Sequence, residues 1–248
     1  MKKLASKIKI HPITYVFAFL ALISGLFKYL LIIFVIVTFH ELGHITIALI
    51  LKRKVKSIEF YPTGGYIRFE GKISENIYED LLISISGVLF QIILALALKT
   101  FKNNTMYSTF SFYNNIIIIF NLIPLAPLDG HKIIKLLCEL FIPYKKTFTI
   151  MYMVFWIISL ALVLTKSELV LDNIFVSVFV ISTNIIEYKN RLYLLNRFYL
   201  ERMNYDFSHY KIVYIYNVNK MYKNKYHYIC NQNERAYLRK KYFTFYKN

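Results

Sequence analysis

Six apolar runs, parted by short polar segments, set the pattern of this chain. They cover about residues 12–27, 29–51, 80–99, 111–128, 147–165 and 169–186, and most approach the length of a helix that crosses a bilayer. Between runs two and three the texture changes. Val55 to Tyr61 and Tyr66 to Glu70 alternate on either side of Pro62-Thr63-Gly64-Gly65, which predicts a β-hairpin. An amphipathic stretch, 131–142, follows run four. The expected fold is an all-α polytopic membrane protein with six transmembrane helices, a short β-hairpin between spans two and three, and a small cytosolic tail. Residues 1–186 form its transmembrane domain and 187–248 a basic, tyrosine-rich tail.

Charge adds an orientation. The formal net charge of +17 is compatible with nucleic acid as a partner, but its distribution is not that of a basic patch. Segments 1–11, 52–80, 129–146 and 187–248 hold 27 of the 31 Lys and Arg residues, while Lys28, Lys99, Lys102 and Lys166 lie in the opposite turns. The positive-inside rule therefore puts both termini in the cytosol, with the bilayer as partner and no direct nucleic acid. The basic tail suits anionic headgroups. Run one follows basic residues without a small-residue cleavage site, so no removable signal peptide is expected. Cys138 and Cys230 make no disulfide framework and fall on the cytosolic side, where thiols stay reduced.

Candidate chemistry centres on run two, which contains His40-Glu41-Leu42-Gly43-His44. The spacing H-E-x-x-H puts two imidazoles one turn apart on one helix face, where they can share a zinc ion. Glu41 between them is placed as general base and later proton donor. Three ionisable groups in one turn of a membrane helix are costly and are kept mainly for function. A catalytic zinc needs a third protein ligand. Asp129 is the candidate, at the cytosolic end of run four after Pro124 and Pro127, at a depth similar to that of His40 and His44. The alternative for Asp129 is a cap on the helix that starts near His131. Gln91, Asn114, Asn115 and Asn121 are polar groups within spans, all compatible with helix-to-helix hydrogen bonding. Asn121 stands out as lying about two turns before Asp129.

His40-Glu41-Leu42-Gly43-His44 together with Asn121-x-x-Pro124-x-x-Pro127-Leu128-Asp129-Gly130 resembles the site-2 family of intramembrane zinc metalloproteases. The six-run layout and the Pro-x-Gly-Gly turn resemble its sporulation subgroup most. The resemblance covers about residues 1–200. It implies one zinc ion held by His40, His44 and Asp129, catalysis by Glu41, and a role for Asn121 in holding substrate or the transition state. It also implies a membrane-associated protein substrate, the pro-form of a mother-cell sigma factor, cleaved in the mother-cell-derived membrane around the forespore. A membrane-protein inhibitor or regulator is a possible further partner.

The chain departs from the family in places. Gly130 is followed by His131 where the family often has a second glycine, and His131 is expected beside the site rather than on the metal. Ser86-Gly87-Val88 and Gln91 stand where the family commonly has Ala-Gly-Pro and an Asn. Relatives often end in a nucleotide-sensing CBS domain, for which the tail here is too short. The hairpin is either plain turn chemistry or a strand that pairs with unwound substrate. The rival function is a polytopic metal or ion transporter using His40, His44 and Asp129 as a translocation site. Such proteins often carry paired broken helices, and only one proline-broken run occurs here.

Overall fold

The computed structural model describes residues 8–10, 12–61, 64–70, 73, 76–101, 105–164 and 170–243. In chain order these form strand β1 (Ile8–Ile10), helices α1 (Pro12–Ile23) and α2 (Phe27–Ile50), strands β2 (Lys54–Tyr61) and β3 (Gly64–Glu70), and helix α3 (Ile77–Leu98). Helices α4 (Thr105–Leu122), α5 (Asp129–Phe141), α6 (Tyr144–Leu164) and α7 (Val170–Asn204) follow. Strands β4 (Ile212–Ile215), β5 (Tyr226–Ile229) and β6 (Gln232–Asn233) and helix α8 (Glu234–Phe243) complete the described chain. The protein is mostly helical with a small part in sheet.

Each apolar run is helical where it is described, but the boundaries move for identifiable reasons. The first turn falls at Ser24–Leu26 rather than at Lys28, because Gly25 takes φ +70°, the left-handed conformation that favours glycine. Helix α4 starts at Thr105 and stops at Leu122, six residues before the expected end. Pro124 disfavours helical geometry at Ile123, and the chain runs irregularly to Asp129. By length and apolar composition, α2 and α3 are the described helices able to cross a membrane.

Two compact units result: Met1–Gly71 with Leu82–Leu122, and Lys72–Leu81 with Ile123–Asn248. Helix α3 contributes its first turn to the second unit and the remainder to the first.

In the first unit, β2 pairs antiparallel with β3 from Lys54↔Glu70 to Tyr61↔Gly64, with an irregularity between Val55 and Ser57. The Pro62-Thr63 turn of the expected hairpin lies outside the described residues, as do the turns at 102–104 and 165–169. Residues 1–11 read as a basic lead into run one, yet β1 lies within them and pairs parallel with β2 from Ile8↔Ile58 to Ile10↔Phe60. That pairing joins residues fifty apart in sequence, which local patterning does not reveal. Helix α2 crosses α3 at close range, since a Cβ on Gly43 would meet the Ser86 carbonyl oxygen at 2.5 Å. Small residues allow this approach between apolar helices.

The second unit contains a folded module that composition had presented as a polar tail. Helix α7 runs on to Asn204, and β4, β5 and β6 then form a three-stranded sheet in that order. Ile215, Ile229, Val218, Met221 and Leu238 pack with Phe198, Leu195 and Met203 of α7 and with Tyr144 and Phe148 of α6. Beside this core the fully buried Arg202 gives Nη1 to the Lys225 carbonyl at 2.9 Å and to Glu234 Oε1 at 3.1 Å. Its Nη2 reaches the carbonyls of Tyr222 and Lys223. Glu234 Oε2 also accepts from the His227 backbone at 3.1 Å and lies 2.8 Å from His227 Nδ1. Burial keeps the His227 imidazole below its ordinary pKa despite Glu234, so it is neutral at physiological pH.

Replacing Arg202 with Met strands Glu234 in the interior. The expected cost is about 3–5 kcal/mol, the usual penalty for an uncompensated buried charge, read as a lower thermal transition of the detergent-solubilised chain.

Candidate metal centre

Helix α2 buries the side that carries chemistry and exposes the side that does not. Ile36, His40, Glu41, Gly43, His44, Ile45 and Ala48 are buried, whereas Leu31, Phe34, Phe39, Leu42 and Leu49 are exposed. The i, i+4 spacing stacks the two histidines on one face. Their rings meet edge-on with centroids 4.7 Å apart, and the Nε2 atoms face each other at 3.1 Å.

What aims these rings is helix α3. His44 Nδ1 lies 2.6 Å from the Ile83 carbonyl oxygen, an atom that can only accept, so Nδ1 carries the proton. His40 Nδ1 lies 3.0 Å from Oε1 of the fully buried Gln91 and is likewise a donor. In a neutral imidazole the other nitrogen is then an acceptor lone pair. The two Nε2 lone pairs thus point at one another, an arrangement that repels by itself and suits a shared cation. A tetrahedral zinc bound about 2.0–2.1 Å from each nitrogen spaces the pair by about 3.3 Å. The observed separation fits that donor geometry closely.

Gly87 completes the cradle. A Cβ there would lie 2.5 Å from His44 Nε2 and 2.6 Å from His40 Cε1, so the rings occupy the volume that any other residue would fill. Glu41, adjacent to His40, is buried on the same helix.

The remaining expected site residues divide between the units. Asn121 sits half-buried in the last turn of α4, in the first unit. Asp129 belongs to the second unit, where it opens α5 as a buried first-turn residue, and its Oδ1 takes a 2.9 Å bond from Lys132 Nζ. It is not the cap of that helix, because the cap position is Leu128. His131 places Nε2 2.7 Å from Glu187 Oε1.

Sequence reasoning passed over three contributors. The sequence marks Gln91 both as a polar group within a span and, with Gly87, as a departure from the family pattern, without tying either to the histidines; the Ile83 carbonyl has no side-chain signature at all. Gln91 carried a faint signal, as an amide in mid-span at a helical interval of four from Gly87.

A histidine pair of this kind, with an adjacent carboxylate on an apolar helix, is a donor set that suits zinc. The sequence profile of Peptidase family M50 matches residues 28–102, which include the histidine pair and the α3 cradle. The chain is 31% identical over 204 residues to stage IV sporulation protein FB of Bacillus subtilis, covering 79% of this chain and 71% of that one. A zinc metalloprotease of Methanocaldococcus jannaschii is 31% identical over 110 residues, covering 42% of this chain and 32% of its own length. The solved structure of a site-2 protease from that organism superposes with a TM-score of 0.55 at 24% identity. It covers 73% of this chain and 89% of the other, a likeness of fold. The chain belongs to peptidase family M50, the site-2 proteases. It is a zinc-dependent metalloprotease of the membrane.

Gly87→Ala tests the cradle without touching a donor atom. Displacing both rings is expected to lower zinc retention at least tenfold in a chelator competition, with helical content by circular dichroism unchanged.

Proposed function

We propose that this protein is an intramembrane protease that hydrolyses a peptide bond in a membrane-associated regulatory protein, a pro-sigma factor processed during sporulation. The observation that carries the protease assignment is the Nε2–Nε2 approach of His40 and His44, with both Nδ1 protons committed to α3. The substrate class is supported by the 31% identity to stage IV sporulation protein FB over most of both chains. His40, His44 and Asp129 hold the zinc. Asp129 supports this as a buried carboxylate, a donor type that zinc takes, alongside its pairing with Lys132.

When bound, zinc supplies a Lewis acid that polarises the scissile carbonyl and brings the pKa of water at the site toward neutrality. Glu41 takes a proton from that water and returns it to the leaving amine. Its burial beside His40 keeps this transfer out of bulk solvent. Asn121 donates from its amide to the substrate carbonyl oxygen as negative charge develops there. Gln91 and the Ile83 carbonyl hold the two rings in the tautomer that the metal requires.

Six spans with both termini cytosolic are supported by the six apolar runs and by the 27 Lys and Arg residues in alternate connecting segments. Residues 1–186 form the membrane protease domain and 187–248 a cytosolic module. The site then opens toward the cytosol, in the mother-cell-derived membrane around the forespore, where a membrane-protein inhibitor or regulator can reach it.

Glu41→Gln keeps the size and polarity of the side chain but removes the base. In cells co-expressing the chain with a candidate pro-sigma factor, the shortened product is expected to vanish while the purified variant keeps one zinc per chain. Cleavage at the unmodified rate would refute the role of Glu41.

A further inference from the structure

Within the second unit a cleft lies between α6 and α7, with about 460 Å³ of free space, part of it open solvent. Phe148, Met151 and Phe155 line it from α6, and Asn184, Glu187 and Arg191 from α7, each set spaced to share one helix face. The helices run antiparallel, since Tyr144 meets Phe198 with ring centroids 4.5 Å apart and Tyr152 meets Tyr188 at 5.9 Å. The cleft therefore has two unlike ends. Phe155 and Asn184 mark one, where Phe155 is buried with Leu125 in an apolar cluster. Phe148 and Arg191 mark the other.

The second end is cationic. Arg191 holds its guanidinium 5.0 Å from the Tyr188 ring, and its Nε is buried with no hydrogen-bond partner. A buried cationic N–H without an acceptor is costly, so the site favours an acceptor that arrives from the cleft. Glu187 does not fill that role, because its Oε1 lies 2.7 Å from His131 Nε2 and 3.9 Å from Lys135 Nζ. It is the sole carboxylate among the described lining residues, and Lys135 offsets it. With His131 neutral, Arg191 leaves one positive charge in excess.

Depth adds to this. The sixth apolar run ends near residue 186, so Glu187 and Arg191 fall within about two turns of the hydrocarbon edge, where headgroups lie, with Tyr188 beside them. A peptide entering the other end would bring N–H and C=O groups against Met151 and Phe155, with little but Thr183 and Asn184 to meet them. An acyl chain brings none.

We propose that this cleft binds one anionic phospholipid, with the phosphate accepting from Arg191 Nε and the start of an acyl chain laid against Met151, Phe155 and Leu125. Basic pockets between membrane helices on the cytosolic side suit such headgroups. The inference goes beyond the protease assignment and rests on the six-span topology proposed above.

The test uses the full chain in mild detergent, stripped of lipid and titrated with phosphatidylglycerol or phosphatidylcholine. Binding is read as lipid retained in native mass spectrometry and as the shift of the thermal transition. Phosphatidylglycerol is expected to bind about tenfold more tightly, a preference that Arg191→Gln removes and Arg191→Lys keeps in part. If Arg191→Gln does not fold, Asn184→Trp, which fills the apolar end from a half-buried position, should weaken lipid binding by a similar factor. Equal retention of the two lipids by the wild type would overturn the proposal. So would inorganic phosphate alone giving the same stabilisation, since the acyl chain would then be no part of the ligand. Unchanged lipid retention in Arg191→Gln with a raised KM for cleavage would assign the cleft to substrate instead. Failure of the topology gives a different result, in which an impermeant maleimide labels Lys189→Cys from outside intact cells.

Discussion

The candidate metal centre depends on two protons. His40 and His44 each commit Nδ1–H to helix α3, one to an amide oxygen and one to a main-chain carbonyl, and the Nε2 lone pairs are left facing each other. That commitment requires α3 to approach α2 almost backbone to backbone, which Gly43 and Gly87 permit and any larger residue forbids. The Ile83 carbonyl accepts from Ser86 Oγ, also at 2.6 Å, as well as from His44 Nδ1, so donors from both helices converge on one oxygen of α3. Tautomer, ring direction and helix contact are therefore one constraint seen at three scales.

The same constraint explains why the first unit is built with its polarity reversed. In water a helix turns apolar groups inward and charge outward. Helix α2 does the opposite, hiding two imidazoles and a carboxylate while presenting Leu31, Phe34, Phe39 and Leu42 outward. Hydrocarbon accepts the outward face without penalty, whereas a charged residue turned toward lipid at mid-span costs about 2.5–3.5 kcal/mol. The solvent that makes polar groups expensive also fixes which way they point.

How much of this could be read from residues alone varies with the range of the interactions. The H-E-x-x-H spacing lies within one helical turn, and the structure places both histidines as that spacing requires. The early stop of α4 follows from Pro124, two residues beyond its last helical residue, Leu122. Gly87 and Gln91 were opaque because their roles exist only across a helix pair, and a glycine in a membrane span has many reasons to be there. Strand β1 was hidden by its lysine-rich setting. The C-terminal module was concealed by composition: lysine and tyrosine dominate 205–243, while its core rests on a few residues such as Ile215, Ile229 and Leu238 spaced among them. Buried charges at Arg202, Lys223 and Glu234 deepen the disguise, since such residues ordinarily mark a surface.

The parallel pairing of β1 with β2 has a consequence for assembly. Parallel neighbours need a crossover connection, and here the crossover is the apolar pair α1 and α2. During synthesis Ile8 emerges fifty residues ahead of Ile58, so the strand must wait while both helices leave the ribosome. Closing the sheet is then a clasp fastened after the fact, recording that the two helices between its strands have formed and brought their far end back beside Ile8.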